Sequence, residues 1–185
     1  MRRVVQASSS SVYGDVAVLP KREDMAPRPR SPYAISKLMG EYYGKVFSSL
    51  FGLDTVALRY FNVYGPRQDP HSAYAAVIPR FFSAVLSGRR PTIHGDGRQT
   101  RDFTYVADCV EGTMRAGQVA PRLEGGIFNI AGGRRISLNE LAEAVRHITG
   151  ATVRPHHGPP RKGDVRHSLA SILADGIAIR FTGED

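Results

Sequence analysis

The chain has 185 residues, 42% of them apolar and 23% charged. Those are the proportions of a soluble globular protein with one core, or one core and a small lobe, and they exclude a disordered chain. No apolar run approaches the roughly 18 residues that span a bilayer, and the net charge of +8 is scattered through Arg2, Arg22, Arg59, Arg80, Arg115, Arg146 and Arg180 without an aromatic-interleaved basic stripe, so neither a membrane nor a nucleic acid is an expected partner.

Arg3 to Ala7 reads as a short buried strand that runs into a serine cluster, Ser8 to Ser11. A proline-rich, charged loop, Leu19 to Arg30, leads to Ser31-Pro32, a capping serine with proline in the first turn. The helix that starts there should run to about Leu50 and stop at Gly52. Asp54 to Tyr60 is apolar enough to lie inside a parallel sheet. After a loop rich in Gly, Pro and Asn (Asn62 to Ser72), a helix from about Val77 to Leu86 closes at Ser87-Gly88. Thr92 to His94 and Asp102 to Tyr105 are short extended pieces around the turn Gly95-Asp96-Gly97. A helix from about Val106 to Ala116, a strand Ile127 to Ile130 and a helix from Ser137 to about Ile148 follow. Ser137 with Glu140 forms a capping box, and Gly150 suits a C-terminal cap. Strands alternating with helices predict α/β architecture with a parallel sheet.

The single cysteine, Cys109, excludes an internal disulfide framework and is expected as a small core residue. It suits a reducing cytoplasm, and Met1-Arg2-Arg3 followed by only Val4-Val5 does not read as a signal peptide, so the expected location is cytoplasmic.

Tyr33 and Lys37 lie four apart, on one face of the first helix. That spacing alone is a weak signal, since a surface helix can carry such a pair by chance. Its neighbours sharpen it. Ser8 to Ser11 lie at the carboxyl end of a strand, where open α/β sheets place ligands. Pro32 fixes Tyr33 in the first helical turn, beside the sheet edge.

Three segments, Ala7-Ser8-Ser9-Ser10-Ser11-Val12-Tyr13-Gly14, Ser31-Pro32-Tyr33-Ala34-Ile35-Ser36-Lys37 and Leu58-Arg59-Tyr60-Phe61-Asn62-Val63-Tyr64-Gly65-Pro66-Arg67, resemble successive signatures of one family. It is the nucleotide-sugar epimerase and dehydratase family, NAD-dependent enzymes of the extended short-chain dehydrogenase/reductase type. Gly95-Asp96-Gly97 with Thr100-Arg101-Asp102-Phe103 and Val106-Ala107-Asp108 resembles a fourth signature, and Arg161-Lys162-Gly163-Asp164-Val165-Arg166 a fifth. The resemblance implies part of a Rossmann-like doubly wound parallel sheet with a smaller C-terminal substrate-binding lobe. Residues 1–65 would be the C-terminal part of the Rossmann-like NAD-binding domain, and residues 66–185 mainly the substrate lobe, with some segments returning to the core. The family's glycine-rich strand-turn-helix, which cradles the cofactor pyrophosphate, has no match: Gly132-Gly133 follows a strand but comes too late and lacks the spacing. The expectation is that an N-terminal cofactor half of roughly a hundred residues is missing, by analogy with complete members, and that this chain alone binds NAD weakly or not at all.

Within that resemblance the catalytic residues would be Tyr33, Lys37 and Ser9. Tyr33 would be the base, Lys37 would lower its pKa and bind the nicotinamide ribose, and Ser9 would hydrogen-bond the reacting oxygen. A tyrosine with a pKa of about 10 needs about 4 kcal/mol to reach neutrality. A cation ~5 Å away in an effective dielectric of ~20 supplies about 3 kcal/mol, so Lys37 and an oxidised nicotinamide together suffice. Ser10 and Ser11 would shape the loop. Phe61 would meet the nicotinamide end through its backbone, and Asn62 would hold the sugar diphosphate. Ala76 and Val77 would precede the helix that supports the nucleotide, with Thr92, Ile93 and His94 along the base. Arg101 and Arg161 would grip phosphate oxygens with their planar forks, and Asp164 would contact the ribose. Ser168 matches the position beside the sugar's C2 substituent, where a small side chain leaves room for an N-acetyl group.

The implied cofactor is NAD and the implied substrate a UDP-sugar, epimerised at C4 by hydride transfer through a 4-keto intermediate. A dehydratase or decarboxylase of the same family is the first alternative, although those place an acidic residue or a Thr-Asp-Glu run where this chain has Ser8 to Ser11. A non-catalytic sugar-nucleotide binder is the second. Gly40 and Gly44 would let another helix approach closely; in the resembled family this helix forms a dimer interface, which implies a homodimer. No metal is expected, because His156-His157 lacks a partnered cluster.

Overall fold

The computed structural model describes residues 3–71, 76–161 and 165–172. Strand β1 (Val4–Ser9) runs into a 3-10 turn, Ser10–Tyr13. The hydroxyl of Ser31 accepts the Ala34 N–H and starts helix α1 (Pro32–Phe51), which Gly52 closes in the left-handed region at φ 64°. There follow β2 (Thr55–Tyr60), β3 (Val63–Tyr64), α2 (Val77–Leu86), β4 (Thr92–His94), β5 (Thr100–Asp102), β6 (Thr104–Tyr105) and α3 (Val106–Gln118). The last elements are β7 (Gly126–Ile130), β8 (Arg135–Ser137), α4 (Leu138–Thr149) and β9 (His156–Gly158). The Ser137/Glu140 capping box is present at the start of α4, and Gly150 caps its end.

The main sheet has the order β1-β2-β7, all parallel. Because β-strand side chains alternate, β2 feeds both faces. Val56 and Leu58 pack with Cys109 and Ala116 of α3, while Thr55 and Arg59 turn to α1. The helices cover opposite faces, giving three layers. Two expectations change here. The expected burial of β1 is confined to Ser8, and Val4 is 36% exposed, because among the described residues only β2 pairs with it. Gly40 and Gly44 do not meet another helix among the described residues. They let α1 lie directly on the sheet, since a Cβ at Gly40 would come within 1.7 Å of the Gln6 amide and one at Gly44 within 3.2 Å of the Thr55 hydroxyl.

A second core joins α2 to α4 through Phe81, Val85, Ile93, Leu138, Leu141 and Val145. The parallel pair β4 with β9 and the antiparallel pair β5 with β8 border it, while β3 pairs with β6, in parallel, beside α3. The single extended piece expected over Asp102 to Tyr105 is therefore two strands. They break at Phe103 because β5 and β6 pair with different partners.

Candidate active site

Parallel pairing sets Ser9 opposite Tyr60, so the serine turn and the segment Phe61-Asn62 leave the sheet at the same edge. The Ser31 cap starts α1 there as well. The result is a cavity of about 530 Å³ whose walls include Ser9, Tyr33, Lys37, Phe61, Asn62, Arg101 and Ser168. Tyr33 is 56% exposed. The Lys37 ammonium donates to the Ala7 carbonyl at 2.9 Å and stands 5.6 Å from the centroid of the Tyr33 ring. The hydroxyl of Ser9 accepts the Ser11 N–H at 3.1 Å. Asn62 donates from Nδ2 to the Asp102 carbonyl at 2.9 Å. The Phe61 ring is fully buried against Val12 and Tyr13, and its main-chain N–H goes to Ile130. Ser11 Oγ is buried without a hydrogen-bond partner.

A second cavity, of about 400 Å³, holds Val77, Thr92, His94 and Arg161 together with Arg80 and Arg89. Gln99 lines this one and Arg101 the first, so the two cavities flank one stretch of chain. The Ile93 side chain is buried in the α2–α4 core, which leaves only its main chain for any ligand. Ala76 caps α2 and lines neither cavity. Asp164 lies outside the described residues.

The Tyr33–Lys37 edge fits the ribose and nicotinamide end of NAD. An ammonium anchored by one carbonyl keeps two donors for a ribose diol, beside an exposed phenol. The Gly132-Gly133 turn does not fit the pyrophosphate. The Gly132 N–H is already engaged, donating to Asp102 Oδ1 at 3.1 Å.

Several residues that organise the site escaped the sequence reading. Arg59, counted there among scattered charges, is 2% exposed and grips Glu41 of α1 with both forks, at 2.9 and 2.7 Å. Ser8 donates to the same carboxylate. The guanidinium also lies 4.6 Å from the centre of the Tyr13 ring, and the Tyr13 hydroxyl donates to Asn129 of β7 at 2.7 Å. Burial works to lower the Arg59 pKa, but the hydrogen bonds with Glu41 and the contact with Tyr13 outweigh it and raise it; burial pushes the Tyr13 phenol up to about 12. One arginine inside an apolar strand was the available signal, because such a charge needs a partner. Glu41 lies one helical turn beyond Lys37, so this pair fixes the helix that presents Tyr33 and Lys37 against the strands that present Ser9 and Asn62.

Asp102 is fully buried and accepts the Ala170 N–H at 3.0 Å in addition to the Gly132 turn. Burial raises its pKa to about 6. It ties Asn62, the turn after β7 and the segment carrying Ser168 into one unit. His167, next to Ser168, lines the first cavity and shares a hydrogen bond of 3.0 Å with the Thr100 hydroxyl. Burial and the nearby Arg166, Arg135 and Arg101 hold its imidazole below the ordinary value.

Among known proteins, the chain is 44% identical over 169 residues to a UDP-glucose 4-epimerase of Mycolicibacterium smegmatis, which covers 91% of this chain and 53% of that one. A solved UDP-N-acetylglucosamine 4-epimerase of Methanobrevibacter ruminantium, in complex with UDP-N-acetylmuramic acid, superposes with a TM-score of 0.93 at 40% identity, over 100% of this chain and 58% of its own. A UDP-glucuronic acid 4-epimerase of Bacillus cereus, in complex with UDP-glucuronic acid and NAD, gives 0.84 at 35% identity, over 92% and 52%. The sheet and flanking helices are thus the Rossmann-like arrangement of these enzymes, and the chain spans about half the length of the curated relatives it matches. Residues 1–131 match the model of the NAD dependent epimerase/dehydratase family. This chain belongs to the NAD-dependent epimerase/dehydratase family.

Proposed function

We propose that this chain forms the proton-transferring and sugar-binding portion of an NAD-dependent UDP-sugar 4-epimerase, an isomerase. The observation that carries the reading is the convergence of Ser9, Tyr33, Lys37 and Asn62 on one cavity at the carboxyl ends of β1 and β2. NAD, when bound, supplies a hydride acceptor at this edge. Tyr33 takes the proton of the sugar C4 hydroxyl, and its exposed phenol makes that oxygen reachable. Ser9 holds the reacting oxygen as it becomes the 4-keto group, and Tyr33 returns the proton once the hydride comes back to the opposite face. Lys37, anchored on the Ala7 carbonyl, binds the nicotinamide ribose. Asn62 and Arg101 hold the diphosphate from the first cavity, and Arg161 from the second. Thr92, His94 and Val77 border the base. Phe61 supports the nicotinamide end through its main chain.

A homodimer through the exposed face of α1, where Tyr43 is 60% and Phe51 70% exposed, and a cytoplasmic location complete the proposal. One observation favours a second reading, a sugar-nucleotide binder without turnover: the Gly132 amide, in the glycine pair that follows a strand, is engaged by Asp102 rather than open to a pyrophosphate. Titration calorimetry with UDP-glucose and UDP-N-acetylglucosamine should give a Kd on the order of 100 μM or tighter, and absence of binding overturns both readings. In a form of the protein that epimerises, Tyr33→Phe should lower kcat by at least about 100-fold with binding retained. Near-normal turnover removes Tyr33 from the mechanism.

A further inference from the structure

Three cationic side chains, Lys21, Lys37 and Arg101, line the first cavity, and among the described residues no aspartate or glutamate does. The proposed chemistry uses Lys37 and Arg101. It leaves Lys21 without a task. Lys21 is only 2% exposed. Its main chain is fixed on both sides to the segment that carries Ser168: its N–H donates to the Leu169 carbonyl at 2.7 Å, and its carbonyl accepts the Ser171 N–H at 2.8 Å. The ammonium donates to the Val16 carbonyl and makes no ion pair among the described residues. Asp15, the acid whose charge reaches it, is paired with Arg30 at 3.2 Å. Burial accordingly lowers the Lys21 pKa.

A buried ammonium with three donors, one carbonyl partner and, among the described residues, no ion pair of its own is an unfavourable arrangement unless something else completes it. The hydroxyls of a neutral hexose would leave the charge uncompensated. A carboxylate would supply both the opposite charge and the acceptors, in a charge-assisted hydrogen bond. We infer that the cavity is built for an acidic sugar, with Lys21 receiving a carboxylate carried by the hexose ring or by a substituent on it. This inference rests on the reading of the cavity as the sugar site of a UDP-sugar.

The test titrates the 185-residue chain with UDP, UDP-glucose, UDP-glucuronic acid and UDP-N-acetylmuramic acid. One of the two acids should bind at least about tenfold more tightly than UDP-glucose. The preferred acid tells whether the carboxylate sits at C6 or on an ether substituent. In Lys21→Met the preference should fall to within about twofold while the affinity for UDP itself stays unchanged, and Lys21→Arg should retain a preference. Circular dichroism checks that both variants fold; if Lys21→Met does not, the wild-type ratio and Lys21→Arg still decide. UDP binding with no preference for either acid overturns the inference and leaves the UDP-sugar reading standing. A preference that survives in Lys21→Met overturns it too. Failure of UDP and all three sugars to bind removes the UDP-sugar reading and this inference with it.

Discussion

The buried pair between Arg59 and Glu41 makes a strong claim about stability. The two side chains are 2% and 0% exposed and are joined by two hydrogen bonds, with the third guanidinium nitrogen, Nη1, buried without a hydrogen-bond partner. Arg59→Met leaves the Glu41 carboxylate buried with Ser8 as its remaining side-chain donor. Breaking such a pair from one side costs about 3–5 kcal/mol. The guanidinium also contacts the Tyr13 ring at 4.6 Å, and a desolvated contact of that kind contributes about 1–2 kcal/mol. Against a total stability of about 5–15 kcal/mol, Arg59→Met should bring the chain close to unfolding. Removing both charges in Arg59→Met/Glu41→Leu abolishes the uncompensated carboxylate and leaves mainly the lost ring contact, so the double variant should lie within about 2 kcal/mol of wild type. Urea unfolding followed by circular dichroism on all four members of the cycle measures this, with an expected coupling of at least about 2 kcal/mol. The reasoning is refuted if Arg59→Met unfolds within about 1 kcal/mol of wild type, or if the double variant is as unstable as the two single losses added together.

Asp102, with its pKa raised from 3.8 to about 6, favours its protonated form in the folded chain. Its contribution is therefore fully present below the unfolded value and is lost as pH rises through about 6, a change of about 3 kcal/mol. Asp102→Asn should remove that slope, so the stability difference from wild type should shift in favour of the variant between pH 4 and pH 7; an unchanged difference rules out the titration. Ser168→Tyr should exclude UDP-N-acetylglucosamine by filling the space beside the sugar's C2 substituent while sparing UDP-glucose. Equal loss of both ligands in calorimetry, or no effect on either, means that Ser168 is not the gate.

The local features of this protein are written in short stretches of chain. Ser31-Pro32 and Gly52 bound α1, the Ser137/Glu140 box and Gly150 bound α4, and the structure has them at the expected places, because caps act within one helical turn. The residues of the serine turn, of Tyr33 to Lys37 and of Phe61-Asn62 were legible for a related reason: each forms a compact signature, and parallel strand pairing brings the three signatures to one edge.

Tertiary packing decided the rest. Glu41 and Arg59 are 18 residues apart, Ser8 and Glu41 33, and Asp102 and Ala170 68. Nothing local to any of these residues names its partner. Gly40 and Gly44 suggested a close approach by another helix, yet what approaches is the chain's own sheet. Ile93 stood in a run of candidate nucleotide contacts, but strand alternation turned its side chain into the core between α2 and α4. Lys21 looked like one more charge in a proline-rich loop until its pairing with the Leu169–Ser171 segment buried it. Composition and spacing thus determined which elements form and which chemistry they carry. Burial, and with it the pKa of Asp102 and the pairing of Arg59, belongs to the packed chain alone, because the dielectric around a side chain is set by neighbours that are distant in sequence.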